Sequence, residues 1–159
     1  MAVPRARTLF LLGLLAVAPL SGCSRVVVLT ASEQASFGTR TFAAPLAVTL
    51  QAAREALEGL DYSIAAVDSR GGKITTGRKL KGVQASIGLF GRSAEPLYQQ
   101  FVLQLQPVGA AQTRVIAVPH KYAGERDISR ERTWFLDGDQ GLHHEWRSMF
   151  NSIQANLSQ

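Results

Sequence analysis

The chain has 159 residues, 46% of them apolar and 18% charged, with 14 glycines and 6 prolines. That length holds one domain rather than two, and the composition excludes a disordered or collagen-like chain. The 17 basic and 12 acidic residues leave a net charge of +5, and the single cysteine, Cys23, excludes a fold held by internal disulfides.

"MAVPRAR" places Arg5 and Arg7 ahead of the apolar run "TLFLLGLLAVAP". Roughly 20 apolar residues are needed to cross ~30 Å of hydrocarbon, so this run is too short to span. Basic start, short apolar run and small residues follow the order of a secretory signal peptide. The small residues are Leu20, Ser21, Gly22 and Cys23, and "LSGC" resembles the lipobox of bacterial lipoproteins. The resemblance implies cleavage of 1–22 as a signal peptide, lipidation of the Cys23 thiol by a diacylglycerol, and anchorage in a membrane. Two or three acyl chains, at ~0.8 kcal/mol per buried CH₂, hold a protein there stably. Ser24, standing where a retention signal would place aspartate, implies delivery to the outer membrane of a double-membraned bacterium, facing the periplasm. With the one thiol taken by lipid, redox and zinc–thiolate chemistry are excluded. Loss of Arg5 and Arg7 leaves 15 basic against 12 acidic residues, a net +3. An exported chain of that charge is expected to meet an anionic membrane surface or an acidic partner, not nucleic acid.

Residues 23–38 read as a lipidated tether. Val26 to Leu29 are able to form a short strand, and "TASEQAS" is small and polar like a linker. The single domain is then 39–159. Thr39 to Phe42 read as a strand, and Pro45 suits a first helical turn. Leu46, Leu50, Ala53 and Leu57 make one helical stripe, with Thr49, Arg54 and Glu58 mostly elsewhere and Gly59 as the stop. "LDYSIAAVD" alternates as a half-buried strand carrying Leu60, Tyr62, Ile64 and Ala66 inward. "SRGG" turns, and "KITTGRK" returns with Ile74 and Thr76 on one face.

"RKLKGVQASIGLFGRSAEP" holds apolar residues among glycines and cations. One reading is a mobile loop that offers Ile87, Leu89 and Phe90 to a partner or bilayer, with Lys79, Lys81 and Arg92 for lipid phosphates. The other, favoured by the alternation of Val83, Ala85 and Ile87, is an extra strand at the edge of the core. "YQQFVLQLQP" is the clearest strand, with Phe101, Leu103 and Leu105 opposite Gln100, Gln104 and Gln106. "TRVIAVPH" follows as another, and "KYAGERDISRERT" reads as a charged surface loop. Leu142, Trp146, Met149, Phe150, Ile153 and Leu157 form the stripe of a C-terminal helix, with Asp137 and Asp139 as cap candidates. Two amphipathic helices on one face of an antiparallel sheet make an α+β layer structure.

"FAAPLAVTLQAAREALEGLDYSIAAVDSRGGKITT" resembles the opening of a group of small bacterial lipoproteins, similar in pattern to the helix-grip domains of the outer-membrane assembly lipoprotein called NlpB or BamC. "TRVIAV" and "EWRSMFNSIQANL" fit the same pattern, so the resemblance covers about residues 39–157. It implies a helix-grip-like, BamC-like fold. This chain has room for one such domain where that lipoprotein has two.

No catalytic constellation emerges. "HHEW" at 143–146 lacks the second histidine one helical turn on that a zincin requires, and reads as a solvated helix face. His120 reads as a surface or interfacial residue, and no nucleophile elbow or P-loop is present. No metal or cofactor is implied. The expected function is a non-catalytic, lipid-anchored interaction or assembly module with an envelope protein partner. The alternatives are a carrier of a small apolar ligand or lipid in a helix-grip cavity and, behind both, a hydrolase. Cys23→Ser is expected to block lipidation and release the protein from the membrane fraction; retention there in fractionated cells would refute the anchor.

Overall fold

The computed structural model describes residues 26–88 and 91–159, and within these all side chains but those of 86–88 and 92. Twelve elements occur among the described residues. In chain order they are β1 (Val26–Val27), α1 (Ala31–Phe37), β2 (Thr39–Phe42), α2 (Leu46–Gly59), β3 (Ile64–Asp68) and β4 (Lys73–Thr76). There follow β5 (Lys79–Gly88), β6 (Gly91–Pro107), β7 (Thr113–Ala123), β8 (Arg126–Asp127), β9 (Trp134–Phe135) and α3 (Leu142–Asn156). The sheet is antiparallel, ordered β2-β7-β6-β4-β3, with β5 also on β6 and β8 on β7; β1 and β9 make a separate two-stranded pair. The chain is therefore α+β.

The core is the layer between helices and sheet. Leu50, Ala53 and Leu57 of α2 and Trp146, Met149, Phe150 and Ile153 of α3 meet Ile74, Phe101, Leu103, Leu105, Val115 and Ala117. Each large side chain so buried contributes about 1.5–3 kcal/mol of transfer free energy. The inward set of β7 continues past Ala117 to Pro119, Lys121 and Ala123. Pro119 costs no ladder bond to β2, whose pairing covers only Thr113 to Ile116.

Several expectations change. The tether reading of 24–38 is corrected for its described part: 31–37 is a third helix, begun by a capping box. Thr30 Oγ1 accepts from the Glu33 N–H (3.2 Å), and the Glu33 carboxylate accepts from the Thr30 N–H (2.8 Å). The Thr30 hydroxyl also donates to the Glu33 carboxylate (2.6 Å), and that bond, followed by the one from the Thr30 N–H, holds the Glu33 carboxyl below the usual range. The small polar composition hid the Thr-x-x-Glu signal. Gly38 then passes so close under Trp146 that a Cβ there would lie 2.9 Å from Cζ2.

Gly59 is not the residue with positive φ after α2; Asp61 is, at 60°. Thr49 is buried rather than outside the stripe, because its hydroxyl donates to the carbonyls of Ala44 (3.3 Å) and Pro45 (3.1 Å). Strand β3 is an edge strand, bulged between Ile64 and Ala66, so Tyr62 is buried but Ala66 is exposed. In the "SRGG" turn Asp68 Oδ1 accepts from the N–H groups of Arg70 and Gly71. Gly72 takes φ +61° where a Cβ would strike the Leu105 carbonyl. The surface loop expected over 121–133 is partly structure: β7 runs to Ala123, β8 pairs back, and Ile128 is buried. Helix α3 starts at Leu142 with Gly141 as its N-cap and no side-chain cap, so Asp137 and Asp139 do not cap it.

Trp146 is 1% exposed and sits at the centre of this layer. Trp146→Ala is expected to cost ~3–5 kcal/mol of unfolding free energy in urea titrations. Val48→Ala on the exposed side of α2 is expected to stay within ~0.5 kcal/mol.

Candidate functional site

Segment 79–107 is a long hairpin, not a loop. Nine residue pairs join β5 to β6, from Lys79 opposite Gln99 to Gly88 opposite Gly91. Strand β7 reaches only Leu97, so 91–96 and their β5 partners extend past the sheet as a two-stranded arm. The register divides the arm into two faces. Gln99 and Leu97 lie on the helix side, so Tyr98, Pro96 and Ala94 lie on the other, opposite Leu80, Val83 and Ala85. Leu80 is 57% and Val83 60% exposed. This face runs on into the open face of the sheet, where Val102, Ile116, Val118 and Tyr122 are half-buried. Arg78 lies 3.9 Å over the Tyr122 ring and pairs with Glu125.

The expected contact residues separate. Ile87 and Arg92 are paired opposite each other near the end of the arm. Leu89, Phe90 and Cys23, the residue expected to carry lipid, lie outside the described residues. Lys79 and Lys81 belong elsewhere: they face the helix layer. The Lys79 ammonium donates to the Leu60 carbonyl (2.7 Å), lies 3.8 Å from Asp61 and 5.1 Å from the Tyr62 ring centre. Lys81, the extra residue at the register shift between Leu80 and Gly82, pairs with Glu145 of α3. Their charges are thus engaged at the sheet–helix junction rather than turned outward with the arm's apolar face.

The Lys81–Glu145 pair, joined by a hydrogen bond from the Gln99 amide to Glu145, stands between two recesses. One, of about 340 Å³, is bounded by Lys121, Trp134, Phe135, Gln99 and the 137–142 turn. The other, of about 320 Å³, is bounded by Leu60, Tyr62, Phe101, Met149, Lys79 and Glu145. In the first, the Lys121 ammonium donates to the Thr133 carbonyl and lies 5.4 Å from the Trp134 ring and 5.8 Å from the Phe135 ring. Burial, and then the charge of Lys81, hold its pKa below the usual lysine range, with Glu145 acting the other way. In the second, Tyr62 is 4% exposed, and its hydroxyl is buried without a hydrogen-bond partner among the described residues. Burial and the Glu145 charge push its pKa well up, so the phenol keeps its proton.

The histidines divide. His144 is exposed, as a solvated helix face requires, but His143 is not. It stacks on Phe37 of α1 with ring centres 3.9 Å apart, and its Nδ1 lies 3.2 Å from Asp137 Oδ1. Glu145 is likewise drawn inward. His120 sits 3.4 Å from Asp127 on the open side. Burial alone would raise the Asp127 pKa, but hydrogen bonds from Ser129 and His120 bring it below the usual range. Among the described residues no group of three His, Cys, Asp or Glu is placed to hold a metal ion.

No family model matches the chain, and no curated protein matches it. The chemistry of the site is that of its own residues: donors and apolar walls, with one carboxylate already engaged by two partners.

Lys121 was missed in the sequence because its segment reads as a charged loop. The signal was present, since the alternation of Val115 and Ala117 carried through Pro119 puts residue 121 inside. Its depressed pKa means that the unfolded chain binds more protons than the folded one between the folded value and about 10.4. Stability therefore rises with pH across that window. In urea unfolding from about pH 7 to about pH 10, wild type is expected to gain on Lys121→Met as pH rises. Parallel pH profiles would refute a strained ammonium.

Proposed function

We propose that this chain is a lipid-anchored lipoprotein of the bacterial cell envelope, held by Cys23 at the periplasmic face of the outer membrane. Its α+β domain, helix-grip-like in layout, serves as a non-catalytic docking module for an envelope protein. The observation that carries this reading is the β5–β6 arm. It extends past the sheet, exposes Val83 with Leu80 at its root, and leaves the outer backbone edge of β5 without a strand partner among the described residues.

Unpaired N–H and C=O groups along such an edge accept a further strand, and apolar side chains beside it supply specificity. Natural edges are commonly blunted by charge or proline. Here Pro96 lies on β6, and the outward residues of β5 with described side chains are Leu80, Val83 and Ala85. The lipobox at 20–23 supports the location, as it places the chain where a partner in the same membrane would reach this arm. No described helix is long and apolar enough to cross a membrane, so the reading relies on the lipid for attachment.

Photo-crosslinking residues placed at Val83 or Ala85 in intact membranes are expected to trap a discrete partner. The same residue at Val48, on the far side of α2, is expected to trap nothing. Equal yields at the two places, or none at the arm, would overturn the docking role.

A further inference from the structure

The recess beside Tyr62, at the root of the docking arm, has the elements of a small-molecule site. Its deep wall is apolar, made by Phe101 and Met149, each 0% exposed, with Leu60 beside them. Its polar side is rich in donors. The Lys79 ammonium uses one N–H on the Leu60 carbonyl, the Lys81 ammonium one on Glu145, and the Tyr62 hydroxyl none. The one inward carboxylate, Glu145, already accepts from Lys81 and Gln99, while Asp61 and Asp139 are exposed at the rim.

A buried hydroxyl without a partner costs about 1–3 kcal/mol, a cost that a ligand acceptor placed there removes. Tyr62 is otherwise anchored by an edge-on contact with Phe101, ring centres 5.4 Å apart, so its hydroxyl does not need that position for packing. The volume suits a small body. A cavity of ~150 Å³ takes benzene, and about 320 Å³ leaves room for a ring, a short linker and a head group.

We propose that this recess binds a small monocarboxylate, its apolar body against Leu60, Phe101 and Met149 and its carboxylate accepting hydrogen bonds from the Tyr62 hydroxyl and the Lys79 and Lys81 ammoniums. The site is formed by α3, the α2–β3 corner and the root of β5. The recess therefore lies at the base of the arm, where Leu80 also lines it.

The probe is 3-phenylpropionate, titrated onto the full lipidated chain in nanodiscs by ligand-observed saturation-transfer NMR, with empty nanodiscs as the blank. Saturable binding with a Kd below about 1 mM is expected. The neutral analogue 3-phenylpropanol is expected to bind at least about tenfold more weakly, since it lacks the charge that the ammoniums meet. Tyr62→Phe removes only the hydroxyl and should weaken 3-phenylpropionate about tenfold while leaving Tm unchanged or higher. Lys79→Gln, at a partly exposed position outside the core cluster, should weaken it several-fold and tests the same site through a second residue. Absence of saturable binding to wild type, equal affinity for the alcohol, or unchanged affinity in both variants would overturn the site.

Discussion

Two side-chain donors from different helices meet on one backbone carbonyl. The indole N–H of Trp146 on α3 and the amide of Gln34 on α1 each donate to Ala117 O at 2.9 Å, while the Ala117 N–H donates to Gly38 O at 2.8 Å. This point lies just past the end of β2, where β7 would otherwise carry unpaired groups into a dry interior. A buried indole needs an acceptor and a buried carbonyl needs a donor, so the two requirements are met together. The N-terminal helix, the C-terminal helix and the central sheet are thereby tied at one strand.

Much of the rest depends on that tie through helical geometry. Residues on α3 are spaced by about 100°, so setting Trp146 inward sets its neighbours too. His143, one turn earlier, comes against Phe37 of α1. Glu145, one position earlier, is turned to the side facing β5, where Lys81 and Gln99 meet it. Met149, one turn later, becomes the wall of the recess that also holds Tyr62. On the far side, Arg40 of β2 lies over Phe150 and donates to Asn151, which fixes the other flank of the helix. The recesses are thus consequences of where α3 is seated. The arm is not: it leaves the sheet where β7 ends.

The readable parts of the chain were those whose burial repeats with a fixed period. The stripe of α2, the stripe from Leu142 to Ile153 and the alternation of Phe101, Leu103 and Leu105 all hold in the structure. Thr49 broke the pattern because local hydrogen bonds hide its polarity. Lys121 broke it because its charged stretch masks the alternation that runs on from Val115 and Ala117 and puts it inside. Helix α1 has no buried residue of its own, so no apolar stripe announced it; only its capping box did. Of the expected contact residues, Lys79 and Lys81 were grouped with the arm by adjacency in sequence. The register shift at Lys81 separates them from its outer face.

The sequence alone determined what depends on neighbours along the chain. That covers the periods that mark helix and strand, and the α+β layering they imply. It also determined the alternation across 83–87, which made a strand the better reading of that segment, because alternation is local. Only the tertiary structure decided which groups meet across the chain. It brought Glu145 to Lys81 and Gln99, left the Tyr62 hydroxyl buried without a partner among the described residues, and turned Leu80 and Val83 away from the core. The physical reason is that burial and pairing are set by register and by the seating of α3 on β7, and both are long-range choices that no local period encodes.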